Sequence, residues 1–351
     1  MFRILFLCCL FSFSAIGNEL KIDFSGHKIN GHLQGVALAG KSLYLSFTGS
    51  IARYDFDSKT LKTIQTPVFD GIGEAGAASK ALRERYNIRR HHSGAPCFVD
   101  GKLYVAYSGS GFNMPLNGKY SYNYVYVFDS ELNFIGRHHV PDLQYGAGAV
   151  TFANGKFYLA GGRPNGVSGN TIYEFDRNFK LQREILLPFN SRMGIQTLYH
   201  DGKYFWVGCY GDWGVTYQLD DQFKIKGVYN FDSSVGAHLD NNGTALKTFY
   251  HKWGKNKKLL SVCTKNKKLA DHRLRVMNCF LTADGKIICD GKETDIAGLN
   301  KVFLQAKKAK KGTFVFVRLD KNVPGRAAVD IILLAAQSKL PCQVISYSTS
   351  L

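Results

Sequence analysis

The chain has 351 residues, 45 Lys and Arg against 27 Asp and Glu for a net charge of +18, and an apolar content of 45%. That composition excludes a disordered polyelectrolyte, because there is enough apolar surface to build packed cores. The length suits about two domains, and the positive charge favours anionic partners.

Met1-Phe2-Arg3 and the apolar run Ile4 to Phe13 lead to Ala15-Ile16-Gly17, small residues at the two positions a signal peptidase reads. Residues 1–17 are therefore expected to be a signal peptide, cleaved before Asn18, which places the protein in the periplasm or outside the cell. The alternative is an uncleaved leader that anchors it in the inner membrane. Nucleic acid is not expected as a partner, since no recognition motif is present.

One phrase then recurs: Gly40-Lys41-Ser42-Leu43-Tyr44-Leu45, Asp100-Gly101-Lys102-Leu103-Tyr104-Val105, Asn154-Gly155-Lys156-Phe157-Tyr158-Leu159 and Asp201-Gly202-Lys203-Tyr204-Phe205-Trp206. Each is a tight turn entering an alternating strand. A second phrase follows each copy: Tyr54-Asp55-Phe56-Asp57, Tyr126-Val127-Phe128-Asp129, Tyr173-Glu174-Phe175-Asp176 and Tyr217-Gln218-Leu219-Asp220. Two hairpins per unit, repeated at roughly 45–60 residues, predict an all-β propeller of about five four-stranded blades over residues 18–265. Six blades result if a divergent unit is hidden. The fifth unit, turning at Asn241-Asn242-Gly243, lacks a fourth strand. Leu20 to Phe24 is the expected replacement, paired beside Lys258 to Thr264 so that no sheet edge stays open.

The turns within each hairpin are short and uniform, whereas the loops on the opposite face are irregular and carry the functional expectation. Ala75, Ala78, Leu82 and Tyr86 recur there at helical spacing, with Arg83, Arg85, Arg89 and Arg90 alongside. Alignment of the repeats brings His32, His92, Tyr145 and Arg192 to one axial mouth with His238 nearby, and Arg163, Tyr210, Asp212 and Trp213 to its rim. His200 is assigned to the plain face. Convergent His, Arg and Tyr side chains suit an anionic glycan or cell-wall component, bound or acted on by proton transfer. The bland alternative has the blade-start histidines bonding only to neighbouring blades. No metal spacing accompanies His32, His92 and His238, and no cofactor is expected. Six scattered cysteines follow the leader, Cys97, Cys209, Cys263, Cys279, Cys289 and Cys342, and read as small buried hydrophobes in preference to a disulfide framework.

Residues 266–276 form a basic linker, beyond which the pattern changes. Asn278 to Thr282 and Lys286 to Cys289 make a hairpin. A helix follows from about Thr294 with Ile296, Leu299, Val302, Phe303 and Ala306 on one stripe. Thr313 to Val317 is a buried strand, residues 326–337 a second helix, and residues 342–348 a last strand. This ββαβαβ order gives a small α+β domain over residues 277–349.

The hairpin at Asp284 to Gly291, Leu299, and the turn Asp320-Lys321-Asn322-Val323-Pro324 resemble the periplasmic domain of the biopolymer-transport proteins ExbD and TolR. The resemblance covers about a fifth of the chain. It implies a periplasmic interaction module that binds a protein partner or cell wall and forms homodimers. This chain departs from that pattern, with the expected propeller where the family has its membrane helix and no Asp or Glu within Ile4 to Phe13 to match the proton-responsive carboxylate. The sequence thus predicts an exported ligand-binding or scaffold propeller fused to an interaction module, with a polysaccharide lyase or glycoside hydrolase acting on an acidic glycan as the alternative.

Overall fold

The computed structural model describes residues 20–66, 90–110, 123–143, 146–161, 170–189, 191, 194–209, 214–239, 245–253, 257–265, 273–309, 312–320, 322–323 and 325–346. The described residues are mostly β, and among them two α-helices stand near the C-terminus. The expected leader and the helix expected within residues 74–86 lie outside the described residues. Among the described residues no helix is long and apolar enough to cross a membrane.

After β1 (Leu20–Asp23) the strands fall into antiparallel groups. The first comprises β2 (Leu33–Ala39), β3 (Ser42–Phe47), β4 (Ser50–Asp55) and β5 (Leu61–Gln65). The second holds β6 (Arg90–Val99), β7 (Lys102–Ser110), β8 (Asn123–Asp129) and β9 (Phe134–His139), and the third β10 (Ala149–Ala153), β11 (Lys156–Ala160), β12 (Thr171–Phe175) and β13 (Leu181–Leu186). The fourth is β14 (Ile195–His200), β15 (Phe205–Cys209), β16 (Thr216–Leu219) and β17 (Ile225–Tyr229). Next come β18 (Ala237–Leu239), β19 (Ala245–Trp253) and β20 (Lys257–Lys265), and β1 completes that sheet by pairing with β20, Leu20 opposite Val262 and Ile22 opposite Leu260. This is the pairing expected from the missing fourth strand. The first strands of the groups, β2, β6, β10, β14 and β18, lie side by side in chain order, and β18 returns against β2. The sheets therefore curl around a common axis in the manner of a propeller.

The repeated phrases have a structural cause. In the turns that join the first and second strands of a group, at Asp100-Gly101 and Asn154-Gly155, both residues have positive φ, as a two-residue turn matched to strand twist requires. In the turns that join the third and fourth strands an Asp carboxylate caps the chain: Asp129 accepts from the N–H groups of Glu131 and Asn133, Asp176 from Asn178 and Lys180, and Asp220 from Gln222 and Lys224. In the first unit the capping residue is Asp55, which accepts from Asp57 and Ser58. Leu43 pairs with Tyr54 as Leu103 pairs with Phe128, so the first copy of the second phrase sits two residues away from its sequence alignment. At the other end of the third strands, Asn123, Asn170 and Thr216 donate to the carbonyls of Leu143, Phe189 and Phe231, holding the chain as it leaves the outermost strand.

Near the axis the inner strands approach closely. Ser93 N donates to Thr48 O at 2.9 Å, Ala95 N to Gly148 O at 2.8 Å and Ile195 N to Gly161 O at 3.2 Å, linking successive groups. A methyl on Gly94 would overlap the Gly148 carbonyl, and one on Gly35 would lie 2.5 Å from Ala95 Cα. Glycine is needed here for contact distance. Gly94→Ala is expected to cost about 1–3 kcal/mol through overpacking, whereas Gly136→Ala, where a Cβ meets open space, should change little. Urea midpoints of the two variants check this, and equal midpoints would refute the close-approach argument.

The C-terminal segment forms one five-stranded sheet, in the order β23 (Lys292–Thr294), β22 (Ile287–Cys289), β21 (Arg275–Leu281), β24 (Thr313–Leu319), β25 (Cys342–Ser346). β23 is an addition to the expected order. α1 (Ile296–Lys308) starts at Asp295, whose carboxylate accepts the Gly298 N–H as an N-cap, and α2 (Val329–Gln337) follows a short 3-10 turn at Gly325–Ala328. Both helices cover one face of the sheet, where Met277, Cys279, Val315, Val317, Leu299, Phe303 and Ile331 share a core. The other face is not free. Phe314, Phe316 and Leu274 join the core of the third and fourth groups, among Ile172, Leu187, Phe189 and Tyr217. Tyr217 Oη donates to Gln343 Oε1 across this contact at 2.9 Å.

The expected linker at 266–276 is correspondingly different over its described part. Arg273 bridges Tyr229, Leu274 N donates to Val228 O at 2.8 Å, and Arg275 already belongs to β21. Residues 266–272 lie outside the described residues.

Candidate functional site

His32 and His92 are the two expected site residues that the structure brings together. His32 stands just before β2 and His92 in the first half of β6, so adjacent inner strands deliver both to the end of the axis where the irregular loops lie. Their rings meet edge to face with centroids 6.1 Å apart. Gln34 Nε2 is 2.7 Å from His32 Nε2, and Thr48 Oγ1 is 3.3 Å from His32 Nδ1. Behind them Ser93 and Thr66 share a buried hydroxyl contact at 3.3 Å. Burial lowers the pKa of both imidazoles, and His92, further opposed by His32, is held at about 4. Both rings are therefore neutral at pH 7. Both ring nitrogens of His32 are engaged by Gln34 and Thr48, and the neutral His92 ring carries one N–H donor and one lone-pair acceptor, a pattern that matches hydroxyl groups better than it matches carboxylates.

Tyr145, Arg163, Arg192, Tyr210, Asp212 and Trp213 lie outside the described residues. His238 does not join the pair. It stands on β18 close to the following turn, against Tyr199 at 4.3 Å between ring centroids, and lines a cavity of about 200 Å³ at the end of the inner strands where each turns into the second strand of its group. The physical reason is register: His238 pairs with Leu246, one step from the Leu239–Ala245 pair that opens the turn. His200, assigned to the plain face, lines the same cavity. Burial lowers the pKa of both rings, His238 to about 4, while Asp201 and Asp221 only partly oppose the shift at His200. A shared site of His32, His92 and His238 is thereby excluded, and among the described residues no three His, Cys, Asp or Glu side chains gather to hold a metal.

At the C-terminal turn Asp320 has a structural role. Its carboxylate accepts from Asn322 N at 3.2 Å, its carbonyl accepts from Val323 N at 2.9 Å, and Val323 packs against the helix-side core. Lys321 and Pro324 lie outside the described residues. Sequence reasoning missed the cavity because it spans five inner strands at positions that no single motif marks.

No family model and no curated protein matches the chain. Among solved structures, a GH43_1 enzyme from Xanthomonas citri shares 11% identity, with 77% of this chain and 94% of that chain covered and a TM-score of 0.43. A chain of a mitotic checkpoint complex shares 14% identity over 74% of this chain and 70% of that one, with a TM-score of 0.37. The Dos1 propeller shares 11% identity over 65% and 67%, with a TM-score of 0.33. Overlap this partial bears on neither activity nor ligand, and the propeller arrangement stands on this chain's own strand pairing.

Proposed function

We propose that this chain is an exported ligand-binding propeller of five blades, closed by its N-terminal strand, which takes a hydroxyl-rich glycan at the mouth formed by His32 and His92. The observation that carries this reading is the pair of adjacent neutral imidazoles at the loop-rich end of the axis. Arg163 and Arg192, which the sequence assigns to the same face, are the partners for an acidic group on that glycan. Binding is favoured over lyase or hydrolase chemistry because a general base works best with a pKa near the operating pH. His92 at about 4 lies far below it. The C-terminal layer serves in this reading as the periplasmic interaction module, its helical surface exposing Ile296, Leu304, Val329 and Leu333 to a protein partner or a second copy.

Glycan-array screening followed by titration of His32→Ala and His92→Ala tests the site. Loss of a neutral hydrogen bond is worth about 1 kcal/mol, so His92→Ala should bind roughly fivefold more weakly, and His32→Ala, which removes the ring packed against His92, should bind more weakly by a smaller factor, both keeping their melting temperatures within a few degrees. His92→Gln, which retains a donor and an acceptor, should recover part of the affinity. Melting that falls while the folded fraction keeps full affinity would make both histidines structural and remove the site. Release of unsaturated or reducing sugar ends in the same samples would favour the enzymatic alternative.

A further inference from the structure

Cys279 on β21 and Cys289 on β22 are paired directly across two antiparallel strands, both buried, with their sulfurs 3.4 Å apart. Their place in the ladder matters. Asp290 N donates to Asn278 O and Thr282 N to Lys286 O, so the residues flanking the cysteine pair occupy hydrogen-bonded positions. Cys279 and Cys289 therefore hold a non-hydrogen-bonded pair, the closer of the two kinds, with Cα atoms about 4.5 Å apart. That spacing lies at the short end of the range a disulfide spans, roughly 4.4–6.8 Å. Side-chain rotation alone brings the sulfurs to bonding distance. Cys342 is separated from β21 by β24 and does not compete by register.

We propose that Cys279 and Cys289 are an oxidation site, closed into a cross-strand disulfide by a thiol–disulfide oxidant when the chain folds outside a reducing compartment. The inference rests on strand geometry and is independent of the glycan-binding reading. Cys289 is the attacking group. The Cys279 thiol donates to its sulfur, which lowers the Cys289 pKa and raises that of Cys279. The Cys289 thiolate attacks the oxidant's disulfide, forming a mixed disulfide and releasing one oxidant sulfur as thiolate. Cys279 then loses its proton and attacks the Cys289 sulfur, forming the intramolecular bond and releasing the second oxidant sulfur. Two electrons and the two cysteine protons end on the oxidant, which leaves as two thiols, while the protein gains one S–S bond. The pair lies in the core under the helices. Oxidation therefore belongs to folding, before α1 and α2 close over the sheet.

The test uses the full chain, refolded from denaturant with oxidised and reduced glutathione as the oxidant pair, quenched with N-ethylmaleimide, unfolded, and mapped by mass spectrometry. The expected result is loss of alkylation at Cys279 and Cys289 together, with one linked peptide pair that dithiothreitol separates. Cys279→Ser should leave Cys289 either alkylated or held as its mixed disulfide with glutathione, with no new link to Cys342. Full alkylation of both cysteines in the refolded wild type, or a dominant link from either to another cysteine, would overturn the proposal. The wild-type map decides the matter even if the serine variants do not fold.

Discussion

Phe314→Ala is expected to destabilise the entire chain, lowering its unfolding free energy by about 3–5 kcal/mol. The side chain is fully buried and sits in the core of the third and fourth strand groups, with the Tyr217 ring 6.1 Å away and edge-on. Native domains have only about 5–15 kcal/mol in hand, so a chain that also carries Phe316→Ala should be close to unfolding at ambient temperature. The two losses will not simply add, because the rings touch each other at 5.0 Å. Removing residues 273–351 altogether should be worse. It strips the cover from Phe189 and Tyr217 and leaves β17 without the partners that Arg273 and Leu274 supply. The measurement is chemical unfolding followed by tryptophan fluorescence, whose three reporters Trp206, Trp213 and Trp253 all precede the C-terminal segment, and by circular dichroism at 222 nm, which reports on α1 and α2. Coincident transitions that shift together in Phe314→Ala are expected. Two separate transitions, with the propeller signal unmoved, would mean that the C-terminal layer is the independently folding module the sequence predicts.

That difference was present in the sequence in a form that motif reading passes over. Thr313-Phe314-Val315-Phe316-Val317 has no polar face, and an uninterrupted apolar run indicates a strand buried on both sides. Val315 and Val317 turn toward the helices while Phe314 and Phe316 turn toward the propeller, so the second cover had to come from elsewhere in the chain. The propeller strands were legible because each ends in a turn whose chemistry is local: Asp129, Asp176 and Asp220 cap their own loops with contacts two to four residues away. Register was less legible. Tyr54 and Tyr126 look equivalent by the letters around them, yet the cap is Asp55, and only the pairing of Leu43 with Tyr54 reveals the slip. The site was legible to the extent that its residues begin inner strands. His32 and His92 do, whereas His238 is separated from the Asn241-Asn242-Gly243 turn by only two residues, and counting back from that turn assigns it to the opposite end of the axis.

Half-buried His92 and buried His238 set the second large effect, a loss of stability in mild acid. His92 and His238 have an ordinary pKa of 6.5 in the unfolded chain and about 4 in the fold, for both chiefly because burial disfavours the charged ring. Between these values the unfolded chain binds more protons than the native one, so stability rises with pH and falls as pH drops from 6.5 toward 4. Above 6.5 the rings are neutral in both states and the penalty vanishes. Once the pH is below both values each ring costs roughly 3 kcal/mol, so the pair together removes a large share of a typical domain's stability. The carboxylate turn caps act in a lower window. The pKa values of Asp55 and Asp129 are depressed below 3.8 by the N–H groups and side chains they accept from, so their contribution is intact until the pH falls below that value. Melting temperature followed from pH 8 to 4 should therefore be flat above 7 and slope downward through the histidine window. His238→Phe keeps a ring against Tyr199 and removes the proton site, and its curve should lose a substantial part of that slope while His92, and His200 beside Asp221, still titrate. A variant as acid-sensitive as the wild type would show that His238 is hydrated and titrates normally, and the buried-imidazole account of the axis would then fail.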